Sequence, residues 1–176
     1  MITRVDPEFY LEQMNLAESM VLRIRHLAAQ SLFELVLNYA NIDRVLAEMG
    51  RRGSEPRTEP PPREFIRLLF LDAAEISRNN VKLKNVNPSD IEYLSTKAPN
   101  PVLQWLRMSK MGKTCSITIG FGTFGDYTFG FNGLAEERRL GRGVPNSAGS
   151  WDYFDIADGQ RFEFENPFPE DVPLVG

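Results

Sequence analysis

The chain of 176 residues contains one cysteine, Cys115, and one histidine, His26. A single cysteine excludes an internal disulfide, and one Cys with one His cannot build a tetrahedral Cys/His metal set. Most hydrolases and many metalloenzymes use more histidine than this, because imidazole is the side chain that exchanges protons near neutral pH. The composition therefore leans away from catalysis, although carboxylates alone support some reactions. No run of eighteen apolar residues occurs, so no segment is long enough to cross a bilayer as a helix. Residues 1–10 carry Asp6 and Glu8 and lack the apolar stretch of a secretory signal. These absences predict a cytoplasmic protein with no membrane partner, no cofactor and no metal.

What is present is ordinary in amount, with 42% hydrophobic and 25% charged residues, enough for one domain with a core over 1–176. Charge, however, is unevenly placed. Residues 150–176 hold seven acids (Asp152, Asp155, Asp158, Glu163, Glu165, Glu170 and Asp171) against Arg161, a net −6. The preceding 149 residues have 19 basic and 17 acidic side chains, a net +2. An acidic end repels nucleic acid and favours a basic partner.

Asp6-Pro7-Glu8 supplies a cap acceptor, a proline for the first turn and an acid at the positive helix end, predicting a short helix over about 7–17. The stretch "SMVLRIRHLAAQSLFELVLNYANI" carries two periods. As strands, Met20, Leu22 and Ile24 alternate with Arg23 and Arg25, and Phe33, Leu35 and Leu37 alternate with Glu34 and Asn38. As a helix, Arg23, His26, Gln30, Glu34 and Asn38 share one face. No glycine or proline lies between Glu8 and Met49, which favours a helix locally; one helix over 7–49 would nevertheless be far longer than usual. Two strands are the expectation, because the later chain needs strand partners. "RRGSEPRTEPPPR", 51–63, has four prolines and no apolar residue and predicts a mobile surface loop. "EFIRLLFLDAAEISR" predicts a buried strand, "NPSDIEYL" a single helical turn, and "VLQWLRMSKMG" another strand ending in a basic turn.

"TIGFGTFGDYTFGFNG" contains a literal G-x-G-x-x-G at Gly120, Gly122 and Gly125. Cys115, Ile117, Ile119 and Phe121 share one face, and Tyr127, Phe129 and Phe131 resume the alternation after the turn. Two period-two segments around a short glycine turn predict a β-hairpin. A dinucleotide site needs a helix to start at the loop. A kinase needs a later lysine, H-R-D and D-F-G; no lysine follows Lys113 and both motifs are missing. The glycines serve the hairpin, and the aromatic face goes to the core.

Further candidates carry less. Asp152, Asp155 and Asp158 are spaced by three, whereas a calcium loop needs alternating ligands; Asp158-Gly159 reads instead as a hairpin turn. His26 has no catalytic neighbour in pattern, and Cys115 alternates with Ile117 as a buried thiol. "EERR", 136–139, reads as a solvated face or a set of local ion pairs. In "WDYFDIADGQRFEFE" acids and aromatics interleave, which suits an interface of apolar anchors within a charged surround. The expected partner-binding residues are Trp151, Asp152, Tyr153, Asp155, Asp158, Glu163 and Glu165.

The apolar strands "FELVLNYANI" and "FIRLLFLDAAEI", the short N-terminal helix, the glycine-aromatic hairpin and the acidic end together resemble bacterial immunity-type proteins that neutralise polymorphic toxins, and related small domains. The resemblance covers the texture of residues 20–139 and carries no functional residue across. It implies toxin capture by charge and shape, with 152–171 as the contact surface.

The expected fold is thus mainly β: a twisted antiparallel β-sandwich or bent sheet of about six to eight strands with a short N-terminal helix. The alternative is α+β, with a long N-terminal helix over 7–49 packed on a C-terminal sheet. The expected function is a non-enzymatic protein-binding module, of immunity type, whose acidic C-terminal surface binds a basic protein. Rival readings are a small-ligand binder with a cavity between sheets, a subunit of a larger assembly, and an enzyme using Asp72, Glu75, Asp152 and Asp155. Nucleic acid is not an expected partner, and the oligomeric state is left open.

Overall fold

The computed structural model describes residues 1–40, 62–83 and 101–168. These contain β1 (Thr3–Val5), α1 (Pro7–Gln13), β2 (Met20–Leu27), β3 (Leu32–Tyr39), β4 (Arg63–Leu71), β5 (Ala74–Arg78) and β6 (Val81–Lys82). They continue with β7 (Trp105–Met111), β8 (Thr114–Gly120), β9 (Asp126–Phe131), β10 (Gly133–Pro145), β11 (Trp151–Asp155) and β12 (Arg161–Phe162). A seven-stranded sheet runs β12-β11-β10-β4-β3-β2, with β1 added on β10, and a five-stranded sheet runs β6-β5-β9-β8-β7. Every pairing is antiparallel. The fold is mainly β, as the alternation predicts, with twelve strands among the described residues.

The long N-terminal helix does not form. Asp6 caps α1 by accepting from the Phe9 N–H at 2.9 Å, but Met14 is already extended (φ −92°, ψ 112°) and β2 begins at Met20. The missing glycine and proline mislead here, because Glu18 (φ 63°) and Ser31 (φ 49°) take left-handed conformations themselves. They make the reversals that glycine usually makes. "EFIRLLFLDAAEISR" is likewise two strands, not one: at Asp72 (φ 54°) the chain leaves the large sheet as β4 and enters the small one as β5. Of the proline-rich stretch, 51–61 lies outside the described residues and Arg63 already opens β4. The turn expected at 87–94 also lies outside them.

Between the sheets, the alternate residues Phe33, Leu35 and Leu37 of β3 and Ile66, Leu68 and Phe70 of β4 meet Ile117, Ile119, Phe129 and Phe131 from the small sheet. Phe33 stacks on Phe129 at 4.2 Å between centroids, and Phe70 meets Phe129 and Phe131 edge-on at 5.1 Å. The aromatic face of the glycine-rich hairpin is therefore core, and a strand, not a helix, follows its loop. Gly120 admits the indole of Trp105: a Cβ there would lie 2.3 Å from the ring, so any larger residue would have to push the indole off the strand.

The outer face of the large sheet is also covered. Phe168 is buried there, with the guanidinium groups of Arg67 and Arg139 at 5.3 and 5.8 Å from its ring centroid. Arg23 donates to Asn166 Oδ1 and Arg139 to the Pro167 carbonyl, each at 2.6 Å. The segment after β12 thus straps across β2, β3, β4 and β10 and continues the burial that the sheet's own side chains begin.

Candidate functional site

β10 is the element that carries the acidic end. Over Gly133–Gly141 it pairs with β4, and over Gly141–Pro145 its other edge pairs with β11. The chain reverses after β10 through Asn146, whose Oδ1 accepts from the Ala148 and Ser150 N–H groups at 3.1 and 3.0 Å. It reverses again after β11, where Asp155 Oδ1 accepts from Ala157 N–H and Asp158 Oδ1 from Gln160 N–H, both at 2.8 Å. Asp158-Gly159 is thus a turn, as the sequence predicts, and β12 returns as the edge strand of the large sheet among the described residues.

Along this edge lies an open groove of about 390 Å³. Five of the seven residues expected from the sequence line it: Trp151, Asp152, Tyr153, Glu163 and Glu165. Its aromatic floor is tied to the sheet. Phe162 meets Phe65 edge-on at 5.3 Å, Phe164 meets Phe65 at 5.5 Å, and Tyr153 lies 5.2 Å from Phe164. Gly141 makes the seat, since a Cβ there would lie 2.7 Å from the Phe162 ring and 3.0 Å from that of Phe65. Trp151 is the exposed aromatic on the rim, 46% accessible.

The rim has three carboxylates and one guanidinium. Arg161 pairs with Asp152 at 2.8 Å, leaving Glu163 and Glu165 exposed with no ion pair among the described residues. An aromatic floor with excess negative charge suits a lysine or arginine side chain bracketed by apolar contacts. Asp155 and Asp158 do not join the groove. Asp155 pairs with Arg139 at 2.9 Å where both are largely buried, and Asp158 holds the turn.

The four carboxylates of the enzyme reading do not converge. Glu75 pairs with Lys82 at 3.3 Å, Asp152 and Asp155 with separate arginines, and Asp72 lines a shallow dish of about 260 Å³ with Arg4 and Asn132. Among the described residues no group of three or more His, Cys, Asp or Glu gathers as a metal site, and no helix is long and apolar enough to cross a membrane. Burial raises the Cys115 thiol pKa. His26 pairs across from Phe33 and is pulled down by burial.

Sequence reasoning missed a row of charges under the strap. Glu34, fully buried, accepts from Arg23 Nε and Nη2 at 3.0 and 3.1 Å, Arg25 Nε at 2.5 Å and Arg67 Nε at 2.8 Å. Arg67 continues to Glu137 at 3.1 Å. Burial alone would raise the Glu34 carboxyl, but hydrogen bonds and charge from Arg25 and Arg23 hold it below the usual range. "EERR" keeps one local pair, Arg138 with Glu136, and otherwise reaches across to other elements. Glu136 accepts from Tyr10 of α1 and from Arg138 at 2.8 Å, Arg138 reaches Glu64 at 3.0 Å, and Arg139 serves Asp155. The available signal was alternation of opposite charge on facing strands, legible only once register is known. No family model matches this chain, and no curated protein or solved structure matches it either.

Proposed function

We propose that the protein is a non-enzymatic, cytoplasmic protein-binding module that captures a basic partner in the groove of the β11–β12 hairpin, as an immunity-type protein captures its toxin. The observation that carries this reading is the groove itself: an exposed tryptophan, an aromatic floor and two glutamates without an ion pair among the described residues, on an edge of the large sheet. Exposed carboxylates steer a basic partner and set its orientation. Apolar anchoring at Trp151 and Tyr153 then slows its release. Asp155 and Asp158 contribute indirectly, by holding the hairpin in shape.

Selection of random displayed peptides on the full chain tests the reading. The expected result is enrichment of lysine and arginine beside apolar residues, with binding that weakens between about 50 and about 500 mM salt. Glu163→Arg/Glu165→Arg should abolish it, and Trp151→Ala should weaken it by about tenfold or more. Peptides enriched without basic residues, or retained unchanged by both variants, would overturn the reading.

A further inference from the structure

We propose that a second copy of this chain is a basic partner of the groove, the β11–β12 hairpin of one copy docking head to tail on the β7–β8 hairpin of the next. This rests on the groove reading above and names a partner for it.

Four observations carry it. Residues 101–125 contain Arg107, Lys110 and Lys113 and no acid, with Lys110 paired to Glu8 of α1 at 3.3 Å, whereas 150–168 contain five acids against Arg161; Arg107 and Lys113 are thus complementary to the acidic hairpin. Each is an edge: β12 ends the large sheet and β7 ends the small one, where nothing pairs with the outer side of β7 among the described residues. An unpaired seven-residue strand is a template for association unless something guards or uses it. The chain's two tryptophans sit one on each hairpin and both are exposed, Trp151 at 46% and Trp105 at 38%, with Met111 beyond at 82%. Finally, the hairpins lie on opposite flanks. Val102, just before β7, bridges to Met20 of β2, the strand at the far edge of the large sheet from β12. Intramolecular docking is thereby disfavoured and a contact between copies favoured. Because the two surfaces differ, the contact is heterologous and propagates from copy to copy.

Sedimentation velocity of the full chain from about 5 to about 500 μM tests this. Mass should grow with concentration at about 50 mM salt and revert to monomer at about 500 mM. Arg107→Glu/Lys113→Glu, or Glu163→Arg/Glu165→Arg, should each leave a monomer, weakening association by about tenfold or more. Mixed in equal amounts, the first variant offers only an intact groove and the second only an intact basic hairpin, so the mixture should stop at a dimer. Should the first double variant misfold, Lys113→Glu alone, in the exposed turn, replaces it. Monomer at all concentrations, growth insensitive to both variants, or a mixture that forms no dimer would overturn the proposal. Peptide selection separates the two failures: a wild-type chain that selects basic peptides yet stays monomeric overturns only the self-docking.

Discussion

Glu34 accepts hydrogen bonds from three guanidinium groups. Removing one member of such a cluster leaves charges stranded in a low-dielectric site, at a cost of about 3–5 kcal/mol. Glu34→Gln should therefore lower the free energy of unfolding by about that amount in urea titration, with the strand signature retained in what still folds. The pH dependence follows from the same group. Its folded pKa is depressed, so its contribution is complete above its ordinary value of 4.5 and is lost as pH falls from there through the lower folded value. Stability of the wild type should decline over that acid window, and Glu34→Gln should flatten that part of the curve. Gly141→Ala is a milder test: the new methyl must displace the Phe162 and Phe65 rings, costing about 1–3 kcal/mol and deforming the groove floor. The sequence made the groove residues legible, because acids alternating with aromatics state their faces directly. It concealed Glu34 and Arg67, since a charged residue in a strand reads as solvent-facing until something is known to cover it.

Elements follow the same logic. Asp6 makes the one side-chain cap of α1, and Asp6→Ala should cost about 1 kcal/mol, loosening Tyr10 from Glu136. A rise in Tyr10 amide exchange beyond that of β4 would report it. The strands of the glycine-rich hairpin were legible because period two ran uninterrupted through both arms. The break in "EFIRLLFLDAAEISR" was not, because Asp72 turns the chain where no glycine marks the place. Likewise Glu18 and Ser31 turn the chain with ordinary residues, and what argued against one long helix was its length over 7–49, the later strands' need for partners and the alternation of Arg23, Arg25 and Glu34 with apolar neighbours. Register, by contrast, is a property of pairs of strands, and the sequence holds both members of each pair without stating which residues face each other.

At the scale of the molecule, the large sheet is buried on both faces, by the small sheet on one side and by the strap that carries Phe168 on the other. Phe168→Ala should cost about 3–5 kcal/mol, since the ring is fully buried over two guanidinium groups. The loss should appear as one cooperative transition in thermal unfolding, not as local fraying of the C-terminal end. The groove depends on this closure, because Phe162 ends β12 and Phe164 lies in the strap that follows it. β10 has the final consequence. Its thirteen residues run unbroken from the centre of the sandwich into the hairpin that carries the groove. A pull applied to a partner seated on β12 is thus borne by two rungs of β12, then five of β11, then the nine that join β10 to β4. The two rungs of β12 are the fewest in this series, and the strap that follows them is anchored at Phe168, so a load on this edge is handed on to the large sheet itself.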